Sequence, residues 1–178
     1  DENPTIRQLE ECIRKAPKNK KHESKDSYPA LMLQKADYFA TLSGEGNLNM
    51  PTLYEMDRSV DNERLKEAIY QAMEAHPGVT MRFEAKDGDL FQIPQNDFRD
   101  YEIRTVRMSD EELDRGKMQL SERIAPDDKW LFCFKIIETP TRKFLFADYS
   151  HLTSDGTSII IMIEDIIAAY EGKKLEEE

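Results

Sequence analysis

Residues 143–149 read Lys143-Phe144-Leu145-Phe146-Ala147-Asp148-Tyr149. They run into Ser150-His151-Leu152-Thr153-Ser154-Asp155-Gly156-Thr157-Ser158 and then into Ile159-Ile160-Ile161-Met162-Ile163. The first block is short, aromatic and largely apolar, which predicts a central β-strand over Lys143–Tyr149. The last block continues to Tyr170 and is apolar nearly all round. That predicts a helix from about Thr157 to Tyr170, buried on every side. Polar residues therefore concentrate in the nine positions that join two buried elements.

Working back from this junction, Leu131 to Glu138 reads as a second strand, turned at Thr139-Pro140-Thr141-Arg142. Ser109 and Glu112 have capping-box spacing and predict a helix to about Ile124. Val79 to Ala85 alternates, Asp87-Gly88 supplies turn chemistry and Leu90 to Ile93 returns, which predicts a hairpin. Asp61 is a good N-cap for a helix whose apolar face is Leu65, Ala68, Ile69, Ala72 and Met73, ending by Pro77-Gly78. A helix over about Leu31–Leu42 and an extended segment over about Asn49–Asp57 precede it. The fold class is α/β, a two-layer α-β sandwich in which helices pack on a mixed sheet.

The segment from Pro17 to Ser27 is polar and charged and reads as a linker. Before it, Pro4 opens a short helix with Ile6, Leu9, Cys12 and Ile13 on one face, too short to be stable alone. The organisation is thus a helix in 1–16, a linker in 17–27 and a domain in 28–178. The chain has 178 residues and a net charge of −11. Such a charge repels nucleic-acid backbones and anionic lipid surfaces, so neither is expected as a partner. Cys12 and Cys133 are far apart and are expected to be reduced in a cytoplasmic setting. No segment reads as a membrane span or signal peptide.

His151, at the end of a strand, can project its imidazole into a crevice and exchange a proton near neutral pH. Asp155 can cap the following helix or pair with a cation, and Gly156 eases the turn. From the residues alone, a histidine beside a helix start is more often a satisfied polar group than a catalytic one. His76 precedes Pro77 at a helix end, where the helix dipole is a sufficient partner. His22 lies in the linker. Ser154 and Ser158 lack a second histidine that would make either a nucleophile, and neither a metal-binding cluster nor a phosphate loop is apparent.

His151-Leu152-Thr153-Ser154-Asp155-Gly156 resembles the HHxxxDG signature of nonribosomal peptide synthetase condensation domains, whose HxxxDG core is shared by chloramphenicol acetyltransferase-like acyltransferases. Other landmarks occur in order. Tyr28 to Gln34 resembles the "YPLTPAQ" opening, Val60 to Ala68 the first long helix and His76 to Phe83 the "RHEALRTRF" strand. Asn3 to Glu10 resembles the start of the last helix of a peptidyl carrier domain.

The resemblance implies the N-terminal lobe of a chloramphenicol acetyltransferase-like fold, following a carrier helix and a linker. It implies amide formation between a donor acyl or peptidyl thioester and an acceptor aminoacyl thioester. Both substrates ride on the 4'-phosphopantetheine of partner carrier domains, and no cofactor binds the chain directly. The implied partners are donor and acceptor carriers, the C-terminal lobe and neighbouring modules. By this resemblance His151 is the catalytic histidine, while Asp155 and Gly156 shape the motif.

Ser150 replaces the first histidine of the signature, and Thr80 stands where relatives have the arginine that pairs with the aspartate. Arg82, on the same strand face as Thr80, either takes over that pairing or is an exposed strand arginine. The resemblance also implies that a lone lobe exposes an apolar groove and makes no amide by itself. Two alternatives remain: a non-catalytic platform that recruits carriers or tailoring enzymes, and an epimerising or ester-forming relative.

Overall fold

The computed structural model describes residues 25–116 and 119–176. The expected carrier helix and most of the linker lie outside the described residues. Among the described residues, seven strands form two sheets. Strands β1 (Tyr28–Pro29), β4 (Asp89–Ile93) and β3 (Arg82–Lys86) make a small antiparallel sheet in the order β1-β4-β3. The larger sheet has the order β2-β7-β6-β5, from Thr52–Met56, Lys143–Tyr149, Phe132–Glu138 and Arg104–Arg107. Its β5–β6 pair is parallel and the others antiparallel, so the sheet is mixed as expected.

Helices α2 (Asn62–Ala75) and α4 (Gly156–Tyr170) pack on one face of the large sheet. The predicted apolar stripe of α2 is buried in full, against Phe132, Phe134, Leu145 and Tyr149. Asp61 caps α2 by accepting from the amide of Arg64 at 2.8 Å. On the opposite face, Ile137, Phe144 and Phe146 meet Leu113 of α3 (Asp110–Gly116) and Leu120. Helix α1 (Met32–Leu42) covers the small sheet, where Tyr38 packs with Phe83, Leu90 and Leu152.

Several expectations need correction. The capping box of Ser109 and Glu112 forms, with N–O distances of 2.7 and 3.1 Å, but the helix it starts ends at Gly116 instead of near Ile124. Beyond it the chain commits its polar groups to tertiary partners, with Ile124 N bonding Asn49 Oδ1 at 3.2 Å and Asn49 Nδ2 bonding Glu122 O at 2.8 Å. Pro77 bends the chain into a 3-10 turn over Pro77–Thr80, so β3 starts at Arg82 and not at Val79. The hairpin turn itself is as expected, with Asp87 (φ 53°) and Gly88 (φ 81°) both left-handed between the paired Lys86 and Asp89.

Helix α4 is not buried on every side. Ile159, Met162 and Ile166 face the core, whereas Ile160, Ile161 and Ile167 are 60, 40 and 54 % exposed. An outer-layer helix with one helical neighbour can bury only one stripe, whatever its other faces carry. Among the described residues no helix is long and apolar enough to cross a membrane.

The contrast between the two faces is testable. Ile69→Ala, at a fully buried position, is expected to cost about 2–5 kcal/mol in chemical denaturation. Ile160→Ala is expected to stay within roughly 0.5 kcal/mol of the parent.

Candidate active site

Strand β7 is paired on both edges, by β2 and β6, and all seven of its residues are buried. At its end the chain turns sharply. Ser150 N donates to Leu131 O at 2.8 Å, and His151 N donates to Leu48 O at 2.8 Å on the other side. The carbonyl of Ser150 accepts from the amides of Thr153 and Ser154 at 3.0 and 3.2 Å, and from Thr153 Oγ1 at 3.2 Å. The loop backbone is thereby satisfied within the turn and by its neighbours.

Ser150 and Leu152 are 1 and 2 % exposed. The residue between them, His151, is exposed. Leu152 is a buried plug against Ala30, Tyr38 and Phe83, and its carbonyl accepts from Gln34 Nε2 at 2.8 Å. With its neighbours anchored inward, the imidazole points out from a fixed backbone. Ser150 contributes a hydroxyl that accepts from Leu152 N at 3.4 Å, so it closes the turn from within.

Asp155 caps α4, its Oδ1 accepting from the amide and the hydroxyl of Ser158, both at 2.8 Å. These two bonds, the amide first, hold the carboxyl below the usual carboxylate range, with smaller help from the Thr157 amide and the charge of His151. Gly156 is the first residue of α4. Arg82 does not reach this carboxylate. Its Nη1 bonds Glu84 Oε2 at 3.1 Å on the same strand, and the residue is half-buried. Thr80 is buried and bonds back to Pro77 O at 3.1 Å.

Two features next to the loop were not read from the sequence. His76, expected to need only the helix dipole, places Nε2 2.6 Å from Asp165 Oδ2 and so ties the end of α2 to α4. A cleft of about 130 Å³ beside this pair is lined by His76, Val79, Thr153, Ser158 and Ile161. The second feature is Asp148, wholly buried in β7, which accepts from Asn49 Nδ2 at 2.8 Å and from Ser121 Oγ. A lone acid in an aromatic strand was the available signal for it, whereas nothing marked Asn49 as its partner. Among the described residues no His, Cys, Asp and Glu cluster could hold a metal ion.

The condensation domain family matches residues 24–178. Surfactin synthase subunit 1 of Bacillus subtilis (strain 168) is 28 % identical over 183 residues, covering 98 % of this chain and 5 % of the synthase. Tyrocidine synthase 3 of Brevibacillus parabrevis is 27 % identical over 156 residues, covering 84 % and 2 %. The crystal structure of the starter condensation domain of rhizomide synthetase RzmA superposes with a TM-score of 0.74 at 14 % identity, over 86 % of this chain and 42 % of that one. The chain thus spans a small part of the synthases and under half of the solved domain, and it has the fold of the matching portion. It belongs to the condensation-domain family.

Proposed function

We propose that this chain is the N-terminal lobe of a peptide-bond-forming condensation domain and that His151 is its catalytic residue. The observation that carries the reading is the exposed imidazole on a backbone hydrogen-bonded from two sides, at the strand-to-helix junction of a chain matched by the condensation family over residues 24–178. In the reaction, the amine of an acceptor aminoacyl thioester attacks the carbonyl carbon of a donor thioester. The new C–N bond forms, the C–S bond breaks, and the amine proton must leave nitrogen as the thiol is released. An imidazole within hydrogen-bond reach of that amine can orient it and take the proton.

On this reading residues 1–16 are the last helix of an upstream carrier domain and 17–27 are the linker. Donor and acceptor arrive on the 4'-phosphopantetheine arms of partner carriers, and the chain itself holds no cofactor. The C-terminal lobe supplies the other wall of the reaction chamber, so the isolated lobe makes no amide. Asp155 and Gly156 set the start of α4, and Ser150 closes the turn. Neighbouring modules and the cytoplasm are the setting that this function requires.

Ser150 favours one competing reading, a platform that binds carriers without catalysis, because a second imidazole is missing. Single-turnover amide formation by the two-lobed parent separates the two. His151→Ala is expected to slow it about a hundredfold or more with carriers still bound. An unchanged rate would identify a platform.

Asp155 has a pH signature. Its carboxyl is depressed in the folded state, so the unfolded chain takes up the proton first as pH falls. The cap therefore contributes fully above the ordinary carboxylate range and is lost as pH drops through the folded value. Asp155→Ala is expected to lower the thermal midpoint at neutral pH and to flatten its fall in acid, whereas Asp155→Asn, which keeps an acceptor oxygen, retains most of the midpoint. Scanning calorimetry between neutral and acidic pH checks both.

A further inference from the structure

Asp148 is the acidic residue of β7, a strand otherwise made of Lys143, Phe144, Leu145, Phe146, Ala147 and Tyr149, and it is 0 % exposed. Burying a carboxylate in a central strand is expensive unless it is paired, and an apolar side chain of similar size would serve the sheet at least as well. A polar group kept at such a position is best explained by what its hydrogen bonds hold in place.

Those bonds lead to the motif. Asn49 Nδ2 donates to Asp148 Oδ2 at 2.8 Å and to Glu122 O at 2.8 Å, while Asn49 Oδ1 accepts from Ile124 N at 3.2 Å. Ser121 Oγ donates to the same Asp148 oxygen. The Asn49 side chain is thus fastened between β7 and the segment that crosses it. Its backbone pairs with Ser150, and the residues on either side grip the motif, with Met50 N on Tyr149 O at 2.8 Å and Leu48 O on His151 N at 2.8 Å.

We propose that Asn49 and Asp148 are positioning residues for His151, acting through the Leu48 carbonyl that holds the His151 amide. The inference rests on the reading of His151 as catalytic, and it extends that site to the buried Asp148, three residues upstream in β7, and to its half-buried partner Asn49 across the sheet edge. Neither residue touches substrate. The pair sets where the imidazole stands, and a displacement of about 1 Å at a catalytic group can cost about a hundredfold in rate.

The test uses the full-length parent synthetase carrying Asp148→Leu or Asp148→Asn, with His151→Ala alongside. Single-turnover rate, half-saturating carrier concentration, thermal midpoint and hydrogen exchange of the peptide spanning 149–153 are measured together. Asp148→Leu takes the acceptor from Asn49 and Ser121 and is expected to lower the midpoint somewhat, while the still folded protein reacts roughly tenfold to a hundredfold more slowly at unchanged half-saturation, with faster exchange in that peptide. Asp148→Asn, which still offers an oxygen to Asn49, is expected to restore the rate and the slow exchange.

Wild-type rate and exchange in folded Asp148→Leu would overturn the proposal. So would a rate loss that simply follows a fallen midpoint and is not rescued by Asp148→Asn. Should Asp148→Leu fail to fold, Ser121→Ala removes one donor from the carboxylate and is read the same way, faster exchange with a slower reaction supporting the pair and unchanged values overturning it. If His151→Ala keeps its rate, the catalytic reading and the rate part of the proposal fall together. Exchange in the 149–153 peptide then still reports whether the pair holds the loop.

Discussion

Strand β7 is the constraint on which the rest depends. It is hydrogen-bonded on both edges and buried along its whole length, so the sheet cannot shift its register without turning Phe144 and Phe146 away from one core or Leu145, Ala147 and Tyr149 away from the other. Where such a strand ends, its last backbone groups need partners immediately. Leu131 and Leu48 provide them from two different directions. The position of His151 is therefore a consequence of sheet register, and only its side chain is left without an inward place.

By the family resemblance the chain departs from the usual pattern at two positions, Thr80 in the turn before β3 and Ser150 in the motif loop, and the structure shows how it stands without them. Where an arginine would neutralise the motif aspartate, Thr80 is buried and bonded to Pro77, and Asp155 is served chiefly by Ser158. An N-cap side chain accepts from an amide of the first turn, and Ser158 supplies both an amide and a hydroxyl. Where a first histidine would sit, Ser150 keeps its side chain inside the turn, so the buried space holds a small hydroxyl and the exposed imidazole is retained.

What was legible in the sequence follows from periodicity and local chemistry. The α2 stripe, the Asp87-Gly88 turn and the two long strands are patterns of neighbouring residues, and each appears within a residue or two of its expected place. Strand β5 was not legible, because Arg104 to Arg107 pairs with β6 across a long separation and carries charges at both ends. The end of α3 and the half-exposed face of α4 were misread for a related reason. Whether Ile124 continues a helix or bonds Asn49, and whether Ile160 meets a neighbour or water, depends on tertiary partners that a local pattern does not contain. At the site, His151, Asp155 and Ser150 were visible as motif positions. Asn49 was not, since a single asparagine in an extended segment carries no periodic signal, and the pairing of Arg82 with Glu84 was not foreseen either.

The central claim is that the exposed imidazole of His151 serves the acceptor amine. It is tested most directly by a crystal structure of the two-lobed parent with an acceptor aminoacyl amide analogue delivered on its carrier arm. The account predicts a His151 ring nitrogen within about 3.2 Å of the acceptor amine, or one water away, with the Leu48 to His151 backbone bond intact. An amine held by other groups, with the imidazole turned from the chamber, would contradict it.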